Sequence, residues 1–73
     1  MSINFPNNLA TFREKRNLTV TEMAVEMGVS HSALYLWESG KRFPRNQRIM
    51  VPIIEQHYKT TRDILWPTIY GQV

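Results

Sequence analysis

The sequence predicts an all-α fold. Helix-capping residues recur at short intervals, apolar residues recur three and four positions apart, and no stretch alternates apolar and polar residues long enough for a strand. With 73 residues and no cysteine, the expectation is one small domain over 1–73, held by tight helix packing and oligomerisation in place of disulfides or a thiolate metal site.

Taken in order, a first helix opens after Pro6, capped by Asn7 or Asn8. Leu9 and Phe12 share one face, and Arg13, Lys15 and Arg16 suit its negative C-terminal end. Asn17 stops it, since Asn tolerates left-handed backbone. Thr19 caps a second helix, with Glu22 completing a capping box and Met23, Ala24 and Met27 as the apolar stripe. Gly28 closes it by adopting positive φ. Only Val29 then precedes Ser30, the cap of a third helix reaching about Ser39, with Leu34 and Trp37 inward and Gly40 just beyond. Two short helices joined through so tight a glycine turn cannot pack antiparallel and must cross steeply, which is helix-turn-helix geometry spanning about 19–39.

A fourth helix is expected over roughly 48–58, burying Ile49 or Met50, Ile53, Ile54 and Tyr58. Pro52 argues for a regular part that starts near Met50, because proline in a helix interior costs about 3 kcal/mol. Thr61 caps a short fifth helix through Trp66, which Pro67 halts; 67–73 is a tail, apolar for a terminus, with Ile69, Tyr70 and Val73. The expected core is Leu9, Phe12, Met23, Met27, Leu34, Trp37 and Ile53.

The net charge of +3 is unevenly spread. Residues 1–38 sum to −1 and 55–73 balance, whereas 39–54 hold Lys41, Arg42, Arg45 and Arg48 with no acid, for +4. Such a local cation cluster suits phosphate. Against enzymatic function stand the missing cysteine nucleophile, phosphate loop and metal-ligand cluster. Glu22 and Glu26 read as a solvated helical face, and His57 is the one other histidine besides His31, so neither metal nor cofactor is expected. No apolar run suffices for a membrane span, and Met1 to Asn8 lacks a signal pattern, so a cytoplasmic protein is expected.

The run Leu18-Thr19-x-x-Glu22-Met23-Ala24-x-x-Met27-Gly28-Val29-Ser30-x-Ser32-x-Leu34-x-x-Trp37-Glu38-x-Gly40-Lys41-Arg42-x-Pro44 resembles the Cro/phage-repressor (XRE-type) helix-turn-helix family. The resemblance implies a compact five-helix, repressor-like domain with helices 2 and 3 as the motif. It implies base-edge contacts at His31, Ser32 and Leu36, phosphate contacts at Lys41 and Arg42, and an ion pair from Arg13 to Glu38. It also implies a homodimer on a double-stranded operator. Two positions depart from the family pattern: Val20 stands where many members carry Gln, and Leu36 replaces a polar reading residue.

Read individually, His31 can donate to or accept from guanine, and Ser32 can bond a base edge or phosphate. Tyr35 and Leu36 point outward if Leu34 and Trp37 point inward, and two bulky outward neighbours ask for a partner. Ser30 caps the helix and aims its amides at phosphate; Lys41, Arg42 and Arg45 supply affinity without reading sequence. Trp66, Ile69 and Tyr70 either cover the domain's own underside or pair two copies in a weak homodimer. The functional expectation is a transcriptional regulator of phage or mobile-element type, a Cro-like repressor acting by operator occupancy. The alternative is a protein-interaction module on the same fold, such as an anti-repressor binding another regulator.

Overall fold

The computed structural model describes residues 5–71. Six helices follow one another: α1 (Leu9–Lys15), α2 (Val20–Met27), α3 (His31–Glu38), α4 (Gln47–Tyr58), α5 (Arg62–Leu65) and α6 (Pro67–Tyr70). Among the described residues there is no strand. The all-α class therefore holds, with one helix more than the sequence predicts.

The helix ends follow local chemistry. Asn7 Oδ1 accepts from the Leu9 amide at 3.0 Å, so Asn7 supplies the side-chain cap of α1 although Asn8 holds the cap position. Asn17 takes φ 57 and turns the chain toward α2. There Thr19 Oγ1 accepts from the Glu22 amide at 3.1 Å while Glu22 Oε1 accepts from the Thr19 amide at 2.8 Å, a complete capping box. Gly28 ends α2 in the left-handed conformation, φ 73. Ser30 Oγ accepts from the Ala33 amide at 3.1 Å to open α3.

The fourth helix covers the expected span with one residue more at its start, but it is regular from that start. It begins at Gln47, upstream of Met50, and runs straight through Pro52. The first turn forms because the Asn46 carbonyl accepts from both Ile49 and Met50 amides, at 3.0 and 2.7 Å. Pro52 lies on the exposed side of α4, so water can satisfy the carbonyl one turn back that its missing N–H leaves unpaired. The buried face of α4 is Val51, Ile54 and Tyr58, spaced three and four apart, with Ile49 60% exposed and Ile53 half-buried. Ile53 is thus not a core residue, and Val51 takes the place expected of Ile49 or Met50.

The core joins Leu9, Met23, Ala24, Leu34, Trp37, Val51, Ile54, Tyr58, Leu65 and Trp66. Phe12, Val20, Met27 and Val29 are half-buried against it. Pro67 does end α5, but it then serves as the first residue of α6, where its fixed φ suits a helix start. The segment expected as a tail is therefore helical through Tyr70; Val73 lies outside the described residues. Glu26 is likewise more than a solvated face. It accepts from Arg16 Nη1 at 2.5 Å and meets His57 Nδ1 at 2.7 Å, while Arg16 also donates to the His57 carbonyl at 2.7 Å. One carboxylate ties α1, α2 and α4 together, and the Arg16 and His57 bonds depress its pKa to about 2.

Candidate nucleic-acid interface

The turn between α2 and α3 consists of Gly28, Val29 and Ser30. Val29 donates its amide to the Ala24 carbonyl at 3.0 Å and packs against the core, which sets the crossing of the two helices. Val20, at the first position of α2, is half-buried against the core; an apolar side chain there packs inward where a polar one would reach outward.

The far end of α3 is set by a charge. Arg13 Nε donates to Glu38 Oε2 at 2.8 Å, with side-chain exposures of 12% and 7%. The same guanidinium donates to the Leu18 carbonyl at 2.6 Å, and Tyr58 donates its hydroxyl to Glu38 at 3.1 Å. Hydrogen bonding to Glu38 holds Arg13 above its ordinary pKa, and burial, with the Glu38 charge second, pushes the Tyr58 phenol upward. Glu38 occupies the last turn of α3, where a carboxylate opposes the helix dipole, so the cation beside it offsets an unfavourable placement. Asn7 adds a tie by donating to the Trp37 carbonyl at 2.9 Å.

With Leu34 and Trp37 buried, the opposite side of α3 carries His31, Ser32 and Tyr35 in the open, Tyr35 being 53% exposed. Leu36 is half-buried. It lies one turn beyond Ser32 and lines a largely apolar groove of about 340 Å³ with Val29, Ala33, Trp37, Phe43 and Met50, to which Arg42, Arg45 and Asn46 also contribute. Ser30 is exposed; its oxygen is engaged as the cap, and its hydroxyl proton is free to donate.

The basic loop has a rigid base. Gly40 turns with φ 79, and the Leu36 carbonyl accepts from the Lys41 and Arg42 amides at 3.1 and 3.2 Å. Pro44 is fully buried, and the Phe43 ring packs at a tilt with its centroid 5.0 Å from Trp66, 5.5 Å from Phe5 and 6.2 Å from Tyr70. Lys41, Arg42 and Arg45, which flank those anchors, are exposed. Among the described residues these three and Arg48 form no ion pair, whereas Arg13, Arg16 and Arg62 each have a carboxylate partner. Lys15 and Lys59 also lack a carboxylate partner, but four of the six unpaired Lys and Arg among the described residues lie on the loop and the first turn of α4.

Of the two roles left open for Trp66, its packing fits cover of the domain's own underside: it is fully buried inside its own chain, where it and Tyr70 brace the loop from beneath. Of the three residues considered for pairing, Ile69 is 41% exposed and Tyr70 half-buried. The start of α4 extends this edge: its first turn holds Arg48, already part of the acid-free cation cluster, and no acid, and Asn46 makes no side-chain cap bond.

Among the described residues no group of His, Asp and Glu could hold a metal ion, and no helix is long and apolar enough to cross a membrane. A family model for the helix-turn-helix domain matches residues 7–63, from the cap of α1 into α5. No curated relative and no solved structure matches the chain. The capped α2–α3 pair, joined by the three-residue turn at Gly28, Val29 and Ser30, and the family match over most of the length agree: the chain belongs to the XRE/Cro-like helix-turn-helix domains, a DNA-binding family.

Proposed function

We propose that this protein is a sequence-specific transcriptional regulator, a small Cro-like repressor of phage or mobile-element type that acts by occupying its operator. The observation that carries the reading is the exposed outer side of α3 beside four unpaired cations. His31, Ser32, Tyr35 and Leu36 would meet base edges in the major groove, and Ser30, Lys41, Arg42 and Arg45 would meet phosphates. Arg48 extends the phosphate edge onto α4. Control would come from excluding polymerase or another regulator.

Binding as a weak homodimer on two half-sites about 34 Å apart fits the size of the domain. Ile69 is the exposed apolar residue of the last helix and the one we assign to that contact, with Tyr70 at its margin. Ile69→Asp should lower the apparent mass at high concentration while leaving the thermal midpoint nearly unchanged. An unchanged mass would remove this face from the interface.

Operator selection from random duplexes, with the affinity then followed against salt, tests the main proposal. A dimer neutralising about four to eight phosphates gives a log K against log salt slope of about −4 to −7. His31→Ala should change the selected sequence. A flat salt response with no enriched duplex would refute DNA as the ligand and favour a protein-docking module, for example an anti-repressor.

A further inference from the structure

Resting on the DNA-binding reading, we infer that Leu36 and the apolar wall beside it read the 5-methyl group of a major-groove pyrimidine, so that thymine and 5-methylcytosine are favoured over uracil and cytosine. Ser32, exposed, and Leu36, half-buried, stand one turn apart on α3, and Leu36 sits where the outer side of the helix meets the groove that Trp37 also lines. Leu36 can neither donate nor accept a hydrogen bond. Its wall is mostly the same chemistry: Val29, Ala33, Trp37, Phe43 and Met50 line the groove together with Arg42, Arg45 and Asn46.

In the major groove thymine shows a carbonyl and a methyl, whereas cytosine shows an amine that needs an acceptor. The outer side of α3 offers no carboxylate for that amine, since Glu38 is turned inward onto Arg13 and Tyr58. What Leu36 can recognise is therefore apolar bulk at pyrimidine C5, a group small enough to enter the groove without displacing its lining. The same feature is present on 5-methylcytosine, so cytosine methylation within the half-site would strengthen binding at this position. Sensitivity to host methylation follows from one apolar side chain.

Burying one methyl corresponds to about a fourfold gain in affinity per half-site, and about fifteenfold when both half-sites of a dimer carry it. The test uses the duplex that selection yields. Each thymine is replaced singly by deoxyuridine, and cytosine is placed at the same positions with and without the 5-methyl, keeping the pairing partner constant within each comparison. Affinities are read by fluorescence anisotropy. At one position per half-site the deoxyuridine duplex should bind about fourfold more weakly, and 5-methylation of cytosine there should restore a similar factor. Leu36→Ala should bring both ratios to one, and Leu36→Met should preserve them. Absence of any methyl-sensitive position, or sensitivity that survives Leu36→Ala, would overturn the inference. The wild-type ratios decide it alone if Leu36→Ala does not fold. Failure of the DNA-binding reading would look different, because no duplex would be enriched and affinity would not fall with salt.

Discussion

Replacing Arg13 with methionine keeps the aliphatic stem and removes the charge that faces Glu38. The carboxylate, 7% exposed and set in the last turn of α3, would keep only the Tyr58 hydroxyl at 3.1 Å. The Leu18 carbonyl would lose its 2.6 Å donor as well. Breaking a buried pair by deleting one partner costs about 3–5 kcal/mol. The remaining Tyr58 bond and the slight exposure of Arg13 put this case at the lower end, about 3 kcal/mol. A domain of this length is stable by only about 4–10 kcal/mol, and each 1 kcal/mol moves its midpoint by about 4–8 °C. The midpoint of Arg13→Met should therefore fall by roughly 12–25 °C in a thermal scan followed by circular dichroism.

Adding Glu38→Gln to Arg13→Met should recover about half of that loss. The neutral amide no longer opposes the helix dipole and still accepts from Tyr58. A loss below about 1 kcal/mol for the single variant, or simple additivity in the double, would refute the claim that this pair sets the end of α3.

Three further substitutions probe separate parts of the fold. Pro52→Ala should stabilise by about 1–3 kcal/mol in urea unfolding, because it restores a helical hydrogen bond and partly gives this back through unfolded-chain entropy; a neutral or destabilising result would mean α4 is not continuous there. Gly28→Ala should cost about 1–2 kcal/mol from backbone strain alone, since the added methyl meets nothing within 4 Å at φ +73; a larger loss would reveal a packing contact. Glu26 has a folded-state pKa near 2 against an ordinary 4.5, so the stability it contributes is present above 4.5 and lost as pH falls toward 2. The midpoint difference between wild type and Glu26→Gln should accordingly be constant near neutrality and close up across that acid window; a difference independent of pH would refute the pairing.

Much of the architecture was legible because its signals are local. The capping box at Thr19 and Glu22, the cap at Ser30 and the positive φ at Asn17, Gly28 and Gly40 each depend on neighbours within a few residues. Residue type alone restricts the backbone at such places. Pro52 shows where local reasoning failed: its penalty is a propensity, and burial of Val51, Ile54 and Tyr58 outweighs it.

The first five helices, the short joint between α2 and α3 and the acid-free run of cations from Lys41 to Arg48 were all written in the chain, because each arises from spacing along it. What sits beneath that run was not. Phe5, Phe43, Trp66 and Tyr70 meet from distant parts of the chain, and Glu26 finds Arg16 and His57 on two other helices. Such partners are chosen by which surfaces exclude water together. That choice exists only once the helices have packed, so it alone decided that the final helix braces the basic loop and that Leu36 borders a groove.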